Sequence, residues 1–105
     1  MKKIALAAAA AFVAAPAYAD DPAADIWTAK CKSCHGADGK ADTRQGRQHK
    51  IDDMSDPGWQ ERHSDDQIRK VISEGVPDTK MKPYKDKLSA AEIDALVKHI
   101  RSLKK

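Results

Sequence analysis

Aromatic residues, cysteine and long apolar runs are all scarce in this chain of 105 residues. Phenylalanine occurs once, at Phe12, and only two cysteines are present, Cys31 and Cys34. With no second Cys pair, the four protein ligands of a structural zinc site cannot come from thiolates. The longest apolar run, Ile4 to Ala15, is too short to span a bilayer. No stretch alternates polar and apolar residues as a half-buried strand does, and no internal repeat is present.

That apolar run has the flanks of a leader. Lys2 and Lys3 precede it, and Pro16-Ala17-Tyr18-Ala19 supplies a small-x-small cleavage signature. Residues 1–19 are therefore read as a secretory signal peptide, with residues 20–105 forming one small domain. A retained membrane anchor is the alternative, and the short run followed by a cleavage site argues against it. Export would place the protein in the periplasm, with no stable membrane insertion after cleavage.

Removing nineteen residues leaves 86, and the balance of charge changes. Seventeen basic residues then face sixteen acidic ones, a net charge of +1 rather than +3. The basicity of the full chain comes from its leader, so a nucleic-acid partner has no support. The remaining charge is polarised. Residues 80–105 carry a net +5 and residues 20–79 a net −4, which gives the domain a dipole. Apolar content falls to 27 of 86 residues. A protein-only core of this size would be marginal. A buried organic group would supply the missing apolar mass.

Cys31-Lys32-Ser33-Cys34-His35 shows what that group is expected to be. Two thiols three residues apart lie on about one helical turn and can each add to one vinyl group of a single porphyrin. The next residue, His35, then lies under the ring and can bind its iron. A disulfide, a zinc half-site and a thioredoxin-type pair are the other uses of such cysteines. The zinc site lacks ligands, and the redox pair lacks its βαβ context. The expected cofactor is one covalently attached haem c, held by Cys31 and Cys34.

Helix signals frame this motif. Asp21 and Pro22 fit an N-cap and first turn, opening a helix that runs into the motif. Residues 36–56, with Gly36, Gly39 and Gly46, read as a long polar loop around the haem edge. Asp56-Pro57-Gly58-Trp59 could open a short helical turn. Ser64 with Gln67 forms a capping box before Ile68, Val71 and Ile72, and Gly75 can end that helix. Residues 76–87 form a second loop, containing Pro77, Met81 and Pro83. Ser89 and Glu92 then start a last helix. Leu88 and Ile93 form its hydrophobic staple, and Ile93, Leu96, Val97, Ile100 and Leu103 form its apolar face.

The second axial position decides the chemistry. Met54, Met81, His49, His63 and His99 are the candidates. Met81 lies 46 residues beyond His35 in a proline-stiffened loop, and its flanks Lys80 and Lys82 make it poor core filler. It is taken as the second ligand, against the alternative of a surface methionine. Met54 is expected to touch the haem without ligating it. His49 and His63 are expected to be solvated, with a bis-histidine site as a lesser alternative, and His99 to pack within the last helix. A thioether ligand raises the reduction potential, and two filled axial positions leave no open site for substrate.

The chain resembles the class I c-type cytochromes, of the small bacterial monohaem kind. The resemblance covers nearly all of residues 20–105. It rests on Cys31 to Gly36, Asp38-Gly39-Lys40, Thr79-Lys80-Met81-Lys82-Pro83-Tyr84, and Leu88-Ser89 through Leu103. It implies an all-α cytochrome c-like fold of three to four helices with long loops wrapped around the haem. It also implies that Trp27 meets Leu96 and His99 where the first and last helices cross. The chain departs from the family where His99 replaces an aromatic, where Ala23 replaces a glycine, and where Lys82 separates Met81 from Pro83. Trp59 is read either as a shield for the haem or as plain core.

The function implied is a soluble periplasmic carrier of single electrons, monomeric and not an enzyme. Its redox partners are expected to present acidic docking surfaces to Lys80, Lys82, Lys85 and Lys87. Two other functions are kept: a haem subunit of a larger oxidoreductase, and a haem enzyme or gas sensor with a labile sixth ligand.

Overall fold

The computed structural model describes residues 22–105. The expected leader, and Asp21 as an N-cap, lie outside the described residues. Every regular element among the described residues is helical. None of these helices is long and apolar enough to cross a membrane.

The first helix is continuous but not uniform. Helix α1, Pro22–Ile26, passes into a π-helical turn, Trp27–Cys31, and then into α2, Lys32–His35. In the π turn the Lys32 amide donates to the Trp27 carbonyl, five residues back. Such a turn inserts extra chain into a helix and commonly marks a functional site. Here it resets the phase between Trp27 and the Cys31–His35 motif. The helix stops at Gly36, whose φ of 80° suits glycine and whose amide caps the Lys32 carbonyl at 2.8 Å.

The polar segment after Gly36 holds an element the sequence did not suggest. Helix α3, Arg44–Gln48, starts at Thr43, whose hydroxyl accepts from the Gly46 amide at 2.8 Å. Gly46 reads as a loop signal, but its role is close approach. A Cβ there would lie 2.0 Å from the Ala41 carbonyl oxygen. The Thr43 hydroxyl also donates to the Cys34 carbonyl at 2.6 Å, tying α3 to the cysteine motif.

The remaining helices follow the sequence signals. Helix α4, Pro57–Arg62, is capped by the Asp56 carboxylate on the Trp59 amide. Helices α5, Asp65–Glu74, and α6, Ala90–Ser102, each open with a complete capping box, Ser64 with Gln67 and Ser89 with Glu92. Gly75 ends α5.

The core forms where α1 and α5 both pack on α6. Ala23 and Trp27 join Ile68, Ile72, Ile93, Leu96, Val97 and Ile100 in one buried cluster. The expected crossing is present, with the ring centroids of Trp27 and His99 5.1 Å apart. The buried indole N–H of Trp27 donates to the Gly36 carbonyl at 2.9 Å. A partly buried polar clamp fastens the C-terminal helix to the chain before it. The Gln60 amide donates to the Met54 and Ile100 carbonyls, and Arg101 donates to the Gln60 and His63 carbonyls and pairs with Asp65.

Leu96 is 1% exposed and lies at the crossing of α1 and α6. Truncation in a closely packed setting removes burial and leaves a cavity. Leu96→Ala should lower the unfolding free energy by about 2–5 kcal/mol in a denaturant titration. A loss under about 1 kcal/mol would show that the helix crossing does not carry the core.

Candidate haem site

A cavity of about 710 Å³ opens between the N-terminal helix, α5 and the loop that precedes α6. Ligand and cofactor pockets commonly fall in the range of about 300–1,000 Å³. Cys31, Cys34 and His35 contribute to one part of its wall and Met81 to another. Ile26, Trp27, Met54, Trp59, Ile68, Ile72, Leu88, Leu96 and Ile100 supply most of its apolar lining. Val71 and Val76 also line it, although they are 40% and 39% exposed. Two large aliphatic side chains left open at a cavity wall are suited to an apolar occupant.

The polar side chains of the wall suit the same occupant. Cys31 and Cys34 are unpaired thiols, so the cysteines are not joined as a disulfide. Burial pushes the Cys31 thiol up to about 11, against a smaller opposing pull from Lys30. Cys31 thus stays protonated at neutral pH in the chain alone. Burial pushes His35 below its ordinary value and favours the neutral imidazole that a metal requires. Its buried Nδ1 has no hydrogen-bond partner among the described residues, an arrangement that costs about 1–3 kcal/mol if nothing satisfies it. The Trp27 ring lies beside it, with centroids 5.8 Å apart.

Among the described residues, no group of three or more His, Cys, Asp or Glu side chains could hold a bare metal ion. A porphyrin brings four nitrogen donors of its own, so its iron needs at most one protein donor on each face. A paired thiol motif, a neighbouring neutral imidazole and an apolar slot fit haem and leave a zinc half-site without its remaining ligands.

The other candidate ligands separate clearly. Met54 is buried and lines the cavity, as expected of a residue in contact with the haem. His49 is exposed at the mouth, with its Nε2 3.1 Å from the Gln45 side-chain oxygen. His63 is not simply solvated. It is half-buried, stacks on Trp59 with centroids 4.4 Å apart, and engages the Trp59 carbonyl through Nδ1 at 2.9 Å. The signal that could have found this contact is the i,i+4 spacing of Trp59 and His63 across the short helix α4. Tyr84 is a cavity residue to which the sequence reading gave no role. Burial, and to a smaller degree the nearby Cys31 and Cys34, raise its phenol above the ordinary value.

A helical shell around a slot bearing Cys-x-x-Cys-His is the architecture of a small c-type cytochrome. The family model described as "Cytochrome C oxidase, cbb3-type, subunit III" matches residues 19–100, and the chain belongs to that family. Its cofactor is accordingly covalently bound haem c. Two similar solved structures agree. "KustC0563 c-type cytochrome" is 37% identical, with a TM-score of 0.74 over 79% of this chain and 98% of that one. The structure of a Tyr-to-Phe point mutant of Kustc0563 is 36% identical, with a TM-score of 0.72 over 79% of this chain and 99% of that one. Among curated proteins, none matches the chain.

With so few apolar residues, this domain is expected to need its cofactor to complete its core. The double variant Cys31→Ala, Cys34→Ala, obtained without haem, should melt without a cooperative transition in calorimetry or circular dichroism. A sharp transition near that of the haem-bearing protein would contradict this.

Proposed function

We propose that the protein is a periplasmic single-electron carrier whose haem is bonded to Cys31 and Cys34 and ligated by His35 and Met81. The observation that carries this reading is that all four side chains line one cavity, although Met81 lies 46 residues from His35. Haem supplies an iron that exchanges one electron between its two stable oxidation states. The chain's residues define how. Cys31 and Cys34 fix the macrocycle to the N-terminal helix, and the neutral His35 offers a nitrogen donor on one face. Met81 would offer a thioether, which would favour the reduced iron. Were His35 and Met81 both to hold the iron, no position would be left for substrate, which argues for a carrier over an enzyme.

The surface supports transient docking. Lys80, Lys82, Lys85 and Lys87 are all exposed, and Lys30, Lys50 and Lys70 line the cavity mouth. Positive charge around the haem opening steers acidic redox partners and favours fast, weak association. Residues 1–19 are proposed to direct export, so the mature protein should begin at Asp20. A monomer suits this role.

The family description favours one second reading, a haem-bearing subunit of a larger oxidoreductase. Co-purification of the tagged native protein separates the two readings. A carrier elutes alone near its own mass, and a subunit elutes with its complex. A sensor or enzyme would instead show a high-spin resting spectrum and bind carbon monoxide readily.

The oxidised protein should display a sulfur-to-iron charge-transfer band that Met81→Ala abolishes, with a fall in reduction potential. An unchanged band would remove Met81 from the iron. Electron exchange with an acidic partner should slow severalfold between about 10 and 200 mM salt as the Debye length contracts. A salt-independent rate would dismiss the lysine face as a docking surface.

A further inference from the structure

We infer that Gly75 and Thr79 are positioning residues for Met81, forming a backbone clamp that holds its sulfur on the iron. The inference rests on the reading of Met81 as a ligand and assigns the part of the fold that keeps it there.

The loop carrying Met81 contains several polar residues and is largely exposed, so side-chain packing alone does not hold it. Its backbone is nonetheless bonded at both polar atoms of Met81. The Met81 carbonyl accepts from the Val76 amide at 2.9 Å. The Met81 amide donates to the Thr79 hydroxyl at 3.1 Å, and that hydroxyl donates to the Val76 carbonyl at 2.8 Å. The returning chain then docks on the end of α5. The Tyr84 amide donates to the Ile72 carbonyl at 3.0 Å, and the Lys85 amide to the Ser73 carbonyl at 3.1 Å. These are carbonyls of the last turn of a helix, which has no internal donors for them.

Gly75 is where the two arms of this loop meet. Its φ of 69° and ψ of −172° fall in a region that essentially only glycine occupies. A Cβ there would lie 2.6 Å from the Met81 carbonyl oxygen, 2.7 Å from the Pro83 nitrogen and 2.8 Å from the Lys82 carbonyl carbon. All three are backbone atoms, so no side chain can rotate aside. The missing Cβ lets the Met81–Pro83 backbone lie directly against the end of α5. A side chain at Gly75 must push the Met81 carbonyl outward, and with it the Val76–Met81 hydrogen bond.

The test uses the haem-bearing protein. Exogenous imidazole competes with Met81 for ferric iron, so its dissociation constant reads how firmly the sulfur is held. Gly75→Ala should bind imidazole at least tenfold more tightly than wild type, with a weakened sulfur-to-iron band. The Val76 amide should exchange its hydrogen at least tenfold faster. Thr79→Val should move both readouts in the same direction, and Thr79→Ser should restore them. Gly39→Ala supplies the control for strain elsewhere. Gly39 also has a positive φ, 76°, but a Cβ there would meet the Leu103 side chain at 2.8 Å, away from this loop. It should lower the melting temperature and leave imidazole affinity unchanged. A wild-type sulfur band with no change of imidazole affinity in Gly75→Ala overturns the clamp alone. A wild type without that band overturns Met81 as ligand and the clamp with it. Equal gains of imidazole affinity in Gly39→Ala and Gly75→Ala overturn the clamp as well, because general destabilisation would then account for both.

Discussion

The indole of Trp27 joins the parts of this protein that have to stay in register. Its ring lies beside His35 and beside His99 of the last helix. Its N–H closes on Gly36, at the end of the haem motif. A single side chain thereby fixes where α6 crosses, where the N-terminal helix stops and how the imidazole is seated. The π turn that begins at Trp27 follows from the same demand. The helix must offer its indole to α6 and its thiols and imidazole to the cavity, and a regular helix has one phase for both. An extra residue in the turn allows two phases.

The rest of the fold answers a shortage of apolar side chains. Twenty-seven apolar residues remain after position 19, and several of them face a cavity rather than one another. The segments that enclose the cavity are held instead by backbone and polar contacts. Thr43 bonds both its own helix and the Cys34 carbonyl. Gln60, buried, and Arg101, partly buried, form a polar bridge between residues 54–63 and α6. The Lys105 amide bonds the Ser55 carbonyl. Hydrogen bonds are individually weak in net terms, about 0.5–1.5 kcal/mol each. They are directional, however, and can hold the walls apart where apolar packing would close them.

Legibility in the sequence follows from this division. The helices α5 and α6 were readable because their start signals are local: Ser64 with Gln67, and Ser89 with Glu92, each satisfy amides within one turn. The cysteine motif was readable for the same reason, since its chemistry is contained in five consecutive residues. Helix α3 was not readable. Its Gly46 suggests a loop, and only the approach of the Ala41 carbonyl explains why no other residue fits there. The cavity position of Tyr84 was also hidden, because it depends on how the loop returns onto the end of α5, whereas the stack of His63 on Trp59 had only its i,i+4 spacing as a signal. The signal at Met81 was indirect: an apolar residue between lysines that had no reason to be apolar on the surface.

That oddity has a physical origin in the way the loop is attached. Lys80 and Lys82 are exposed while Met81 between them is partly buried and packs against the core cluster. All three residues border the cavity, with the two lysines at its exposed rim and the thioether further in, so one stretch of chain can present both positive charge and sulfur. The arrangement holds only while the backbone keeps its place, since a slip of one residue would put a lysine where the methionine stands. Gly75 and Thr79 act at that point. They hold the Met81 backbone, Gly75 by its missing Cβ and Thr79 through its hydroxyl, and neither contact involves the Lys80 or Lys82 side chain. If Met81 and the flanking lysines act as proposed, docking preference and iron ligation would be adjustable separately within three consecutive residues.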